Sequence, residues 1–275
     1  MLPIMTYDRI TTGSDQTLRT VCRAELARLV RQGGNRSGLL LSIGFGLLAG
    51  LTALAILSYL SSGDAGGATS LNVTVPMEVT ISVTAVLLSL TVVLHFGRRA
   101  QSGALLGALV LVPNRRRLLS GLVIATASLA AGAVFIVSST VGITAMALSR
   151  STTGMAEAVV AAACGAIAAA CLSVLALFLA LITNRAVLGL MIWMLWWIVF
   201  PLALLVGSAF LPAWLSSVTS EVASTTPTAL LGRATAVSTV VAQGVGSLTT
   251  SLAGLLAWVG VLGTMAYLMF IRRSV

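Results

Sequence analysis

The sequence predicts an all-α membrane protein with six transmembrane helices, an N-terminal amphipathic interfacial helix, a cytoplasmic helical hairpin and an outer re-entrant or surface hairpin. Three observations lead there. Of the 275 residues, 58% are hydrophobic and only 8% charged, against roughly 25% charged in an average soluble chain. The charged residues collect in short segments between apolar runs long enough to cross about 30 Å of hydrocarbon. The arginines fall mainly on alternate connecting segments, as topology signals do. A net charge of +9 would point to nucleic acid in a soluble domain. At the ends of apolar stretches it predicts a lipid bilayer as partner and no nucleic acid.

The first part, residues 1–36, reads as a cytoplasmic N-terminus leading into an elbow-like helix. Ser14 and Asp15 offer N-caps to a segment running to about Gln32. Within it Leu18, Val21, Cys22, Leu26, Leu29 and Val30 recur at helical spacing, while Arg19, Arg23 and Arg31 fall mainly on the other side. Such a basic amphipathic helix is expected to lie along the membrane surface. Gly33 and Gly34 are expected to end it.

Residues 37–275 form the transmembrane domain. Ser37 to Leu60 is free of charge and gives the first span, preceded by arginines and placed too deep for a typical cleaved signal peptide. Pro76 and Glu78 open the second, which ends near His95. Residues 98–117 are half polar around an apolar middle too short to cross, so a surface hairpin is expected. Leu118 to about Leu148 is the third span, longer than one crossing needs. The fourth runs from about Ala156 to Ile182, with a tight turn at Asn184 and Arg185. The fifth runs from about Val187 to Phe210, with a kink at Pro201. Residues 211–250, moderately apolar and rich in Ser and Thr, form the outer hairpin, and Ser251 to Ile271 is the sixth span. With both termini in the cytoplasm, 14 of the 16 arginines lie inside, leaving only Arg150 and Arg233 outside.

All 16 basic residues are arginine. That bias, with abundant Ala and Gly, fits a GC-rich bacterial genome. It also rules out the GxxxxGK[ST] phosphate loop, which needs a lysine on the terminal phosphates. The chain is therefore expected not to hydrolyse ATP by that route, and with a single histidine, no GxSxG motif and no ligand cluster it is expected to be no enzyme of its own, with no cofactor or metal. Cys22, Cys164 and Cys171 form no CxxC pair, and Cys164 and Cys171 share one helix face, as small core residues do.

Several segments, in order, resemble the permease subunit of an ABC-2 type transporter, a bacterial exporter family with six spans per subunit. Arg23-Ala24-Glu25-Leu26 before the first span resembles the family's elbow helix. The stretch RRAQSGALLGALVLVPNRRRLL, from Arg98 to Leu119, resembles its cytoplasmic hairpin, with Gly103, Pro113 and Arg115 to Arg117 at the motif positions. LPAWLSSVTSEVASTTPTALL resembles its outer loop, with Leu211, Pro212 and Pro227 in place. The acidic residue that often starts the family's hairpin is missing, and Ser120-Gly121 replaces a common lysine.

The resemblance implies a bacterial inner-membrane exporter subunit that pairs with a second permease subunit, as homo- or heterodimer, and with two copies of an ATPase that carries ATP and Mg. Gly103, Pro113, Arg115, Arg116 and Arg117 would then couple the ATPase to the spans, although the arginines would also suit anionic lipid heads. Walls of the transport path are expected on the first, second and fifth spans. Ser82 and Ser89, and Thr84 and Thr91, stand seven apart on the second span and give a polar stripe. Hydroxyls bonded to their own helix are the commoner case. Trp193 and Trp197, beside Trp196 and Phe200, either supply an opposing aromatic wall or pack between spans. His95, the only histidine, suits an interfacial hydrogen bond or a proton relay. Gly46 and Gly50 permit close helix contact. With few polar residues at membrane depth, an amphipathic or apolar cargo is expected. The alternatives are a non-transporting anchor or sensor, or a secondary transporter. The latter should place paired ionisable groups at the midplane, whereas Glu78, Glu157 and the arginines fall near span ends.

Overall fold

The computed structural model describes residues 17–63, 73–111, 114–149, 155–199, 203, 224, 226–235 and 245–272. Among these residues the chain is helical with no strand. Its elements are α1 (Leu18–Arg31), α2 (Gly33–Gly63), α3 (Thr74–Gln101), α4 (Ala104–Leu111), α5 (Arg115–Ser149), α6 (Met155–Thr183), α7 (Ala186–Met194), α8 (Pro227–Thr235) and α9 (Val245–Arg272). Five stretches are long and apolar enough to cross a membrane: Gly34–Leu60, Thr74–Gln101, Arg115–Leu148, Met155–Thr183 and Thr249–Phe270. This is a multi-pass membrane protein.

The N-terminal helix starts later than its sequence signals imply. Ser14 and Asp15 lie outside the described residues, and the cap is Thr17, whose side chain accepts from the Thr20 amide. Nor do Gly33 and Gly34 break the helix. The interruption is Gln32 alone, in extended backbone, and α2 begins at Gly33 rather than Ser37. First-turn amides lack intrahelical acceptors in any helix, so glycines there give up little. The chain thus turns a sharp corner between α1 and α2.

At the centre is α6, packed against α3, α5, α8 and α9. Its first half buries mainly small residues, including Ala161, Ala162, Gly165, Ala168 and Ala169, and its second half buries larger ones such as Leu172, Leu175 and Phe178. Without a hydrophobic driving force between spans in lipid, close approach of small residues supplies the packing. A Cβ at Gly165 would come within 2.7 Å of Ile81 on α3. Cys164 and Cys171 are buried on this helix as free thiols. Asn184, in the left-handed region at φ 54°, closes the turn into α7, a conformation that Asn tolerates.

The α2–α3 seam is built from glycine against threonine. A Cβ at Gly46 would collide with the Thr84 hydroxyl, one at Gly50 with the Thr80 hydroxyl, and one at Gly38 would sit 2.6 Å from Thr91 Cγ2. Each threonine hydroxyl donates to its own helix, Thr80 to the Pro76 carbonyl, Thr84 to that of Thr80 and Thr91 to that of Leu87. The seam is therefore hydroxyl-rich yet internally satisfied.

The fifth expected span is described only to Val199. After α7 the chain widens into a π-turn, Leu195–Val199. Pro201 lies outside the described residues, but by its covalent structure it has no N–H for the carbonyl four residues back, the defect that a wider turn accommodates. In the expected outer hairpin, Leu211, Pro212 and the rest of 204–223 are outside the described residues. Pro227 opens α8 at its first helical position, where its missing N–H costs nothing, and the Ala229 amide donates to Thr226 Oγ1 at 3.3 Å. Nine residues of α8 span about 13 Å, well short of a crossing.

Candidate functional site at the basic end of the bundle

Contacts gather the arginine-bearing ends of the helices at one end of the bundle. Gly97, near the end of α3, lies against Ala186 at the start of α7. The start of α5 meets the end of α9, since Arg115 Nη1 donates to the Phe270 carbonyl at 3.3 Å and the Arg116 guanidinium lies 5.9 Å from the Tyr267 ring centre. Phe270 belongs to the last turn of α9, whose carbonyls lack intrahelical donors and carry the negative end of the helix dipole. A Cβ at Gly121, two turns into α5, would meet Val21 of α1 at 2.8 Å, so α1 docks at this same end. The exception is Arg233 on α8, whose neighbour Leu230 packs on Gly254, some 18 residues before the end of α9.

The strongest polar contact here joins α1 to α3. Arg99 Nη1 donates to Glu25 Oε2 at 2.8 Å, with both side chains 6% exposed, and Arg28 Nη1 donates to Glu25 Oε1 at 2.9 Å. Arg99 also lies over the Phe96 ring at 5.6 Å. The sequence carried a signal for this. Glu25 stands midway between Val21 and Leu29, four residues from each, on the buried face of α1, and a carboxylate on an apolar face must find a cation. Reading the hydrophobic periodicity alone missed it.

The hairpin region divides into a longer α3, which runs to Gln101 rather than stopping near His95, a turn, and the short α4. Gly103 makes that turn at φ +71°, where any other residue is strained. Asn114 then caps α5, its Oδ1 accepting from the Arg117 amide at 3.3 Å. Pro113 lies outside the described residues. Arg115 and Arg116 engage α9, while Arg117 is an exposed residue. Between α1 and α4 runs an open groove of about 710 Å³, lined by Arg28, Arg31, Gln32, Arg99, Gly107 and Ala108 among others.

The proposed path residues take three different positions. Thr84 and Thr91 face α2 across the glycine seam, and Ser42 on α2 stands 3.4 Å from Thr91. Ser89 is fully buried, donates to the Val86 carbonyl at 2.7 Å and accepts from Trp193 Nε1 at 3.1 Å. Trp193 is itself only 3% exposed. Ser82 and Trp197 are half-buried. Trp193 and Trp197 lie 5.7 Å apart, and the π-turn brings Trp196 edge-on to Trp258 of α9 at 4.9 Å. The structure thus unites Ser89 with Trp193 and separates both from Ser82. His95 is 9% exposed, with Nε2 making no hydrogen bond among the described residues. Comparison with protein-family models and with curated proteins found no match, so the functional reading rests on this geometry and on the sequence.

Proposed function

We propose that this chain is the transmembrane permease subunit of an ATP-driven exporter in a bacterial cytoplasmic membrane, one of two such subunits working with two copies of a separate ATPase. The observation that carries this reading is the construction of the basic end. A short helix, α4, hangs on a left-handed glycine beside α1, and α1 is fastened to α3 by the Glu25–Arg99 pair. Movement imposed on α1 or α4 would pass into α3, and through Arg115 and Arg116 at the head of α5 into α9. Such a linkage suits a protein moved by a motor that it does not contain, and the absence of lysine excludes the phosphate loop from this chain.

Arginines gathered at one end support placing that end, with both termini, in the cytoplasm. The expected fifth span, about Val187 to Phe210, would add a sixth crossing to the five candidate spans, with 211–250 on the outer side. With almost no charge along the spans, the cargo is amphipathic or apolar. Its path runs along surfaces left open within the dimer by the first, second and fifth spans, with Ser82, Thr91 and Trp197 the candidates that keep exposure.

The groove between α1 and α4 receives the ATPase. Gly107 lies on it, and a Cβ added there would have nothing within 4 Å, so Gly107→Trp can project into the groove with no clash at its Cβ. Expected is loss of co-purification with the ATPase encoded beside this gene, while the variant still inserts and melts as wild type. A variant that retains the ATPase at full stoichiometry and full stimulated turnover would show that the groove is not its dock.

A further inference from the structure

A second cavity at the basic end, of about 300 Å³, lies between the α1–α2 corner and the end of α3. Around it stand Gln32, Asn35, His95, Arg98, Arg99 and Ser102. We propose that this cavity binds the phosphate headgroup of an anionic phospholipid. This goes beyond the transport reading and does not rest on it.

Charge is the first reason. Arg99 is neutralised by Glu25, which Arg28 also engages. Arg98 is exposed and has no acidic partner among the described residues. Among the described residues the cavity therefore carries an uncompensated cation and is lined by no carboxylate. Guanidinium groups match phosphate oxygens in geometry as well as charge.

The second reason is unused hydrogen-bonding capacity. His95 is nine-tenths buried against this cavity, and its Nε2 has no hydrogen-bond partner among the described residues. Gly34, in the first turn of α2, also lines the cavity and has open space where a Cβ would stand. Its position adds the positive end of the α2 dipole.

Depth and shape select a lipid as the phosphate's source. Gly34 begins one candidate span and Gln101 ends the next, so the cavity sits at headgroup level. Gly34, Gly38, Leu41, Phe45 and Leu48 fall within an arc of about 80° on α2 at 100° per residue. Gly34 and Gly38 line the cavity, while Leu41, Phe45 and Leu48 are 59%, 53% and 63% exposed. An apolar track thus leads from the cationic cavity into the membrane, as a headgroup with attached acyl chains requires.

The test uses the full chain purified in detergent, titrated with dioleoylphosphatidylglycerol or dioleoylphosphatidylcholine and read by native mass spectrometry. Expected is a preference of about tenfold or more for the anionic lipid, the size of one charged hydrogen bond. Arg98→Gln should abolish the preference, and so should Gly34→Leu, which fills the space without removing charge. Arg185→Gln, an exposed arginine of the same end outside the cavity, should leave it intact. Equal retention of the two lipids, or an unchanged preference in both cavity variants, overturns the proposal. Displacement of phosphatidylglycerol by millimolar inorganic phosphate would overturn the lipid assignment in favour of a free anion.

Discussion

Arg99 reaches across from α3 to place Nη1 2.8 Å from Glu25 Oε2 on α1, and the pair is almost wholly removed from solvent. Two helices separated by the entire first span are joined by one charge pair. Its buried position makes its loss costly in a particular way, because removing Glu25 strands the Arg99 charge, whereas removing Arg99 leaves Glu25 with Arg28.

Glu25→Gln should therefore destabilise the protein by roughly 3 kcal/mol, within the range for a broken buried pair, and Arg99→Met by less, because Arg28 still engages Glu25. The double variant Glu25→Gln/Arg99→Met should be less destabilised than the sum of the two, since neither charge is then left alone. Thermal unfolding in detergent measures all three, and strict additivity would show that the residues do not act as a pair.

The glycine seam makes a steric prediction. Gly46→Ala drives a methyl group into the Thr84 hydroxyl and should cost about 1–3 kcal/mol, as overpacking does. Thr84→Ala in the same chain should recover part of it. Gly44→Ala, with nothing within 4 Å, should be neutral or slightly stabilising. Equal melting temperatures for the Gly46 and Gly44 variants would contradict the seam.

Trp193 and Trp197 should separate by phenotype. Trp193→Ala should lose roughly 3–5 kcal/mol of stability, the cost of emptying a buried aromatic site. Ser89→Ala should lose about 1 kcal/mol through its bond to the indole. Trp197→Ala, at a half-buried position, should fold and instead alter cargo-stimulated ATPase activity if it borders the path. A stable Trp193→Ala protein with altered transport would reassign that side chain to the path.

Topology is tested by labelling single cysteines placed in a background without Cys22, Cys164 and Cys171. Reagent added from outside should reach Asp64→Cys and Glu221→Cys but not Gln16→Cys or Ser274→Cys. External labelling at position 274 would end the six-span arrangement with both termini inside.

Much of the fold was legible because membrane spans announce themselves by length. The first, second, third, fourth and sixth spans fall inside α2, α3, α5, α6 and α9, and the arginine pattern anticipated which helix ends meet. The boundaries were harder. Gly33 and Gly34 looked like breakers because glycine lowers helix propensity, yet propensity hardly acts in a first turn, and the corner fell on Gln32 instead. Gly103 was legible as a motif position, and its positive φ supplies the physical reason for a glycine there. The candidate path was less legible. Seven-residue spacing put Ser82, Ser89, Thr84 and Thr91 on one helix but carried no information about which neighbour each would meet. Ser89 found Trp193, and the threonines found glycines on α2. Long-range partnerships such as Glu25 with Arg99 are visible in one sequence only as a charge out of place.

The length of α5 has a mechanical consequence. At 35 residues it is a straight-through rod of about 52 Å, while the hydrocarbon it crosses is about 30 Å thick. Its basic end meets α1 and α9, while its far half, at Val141 and Gly142, packs against Gly50 of α2 and Met77 of α3, so a tilt of about 5°, which displaces the far tip by about 4–5 Å over that length, has to carry those helices with it. A small rotation at the arginine-bearing end of α5 would thereby be felt by α2 and α3 at the opposite end of the bundle.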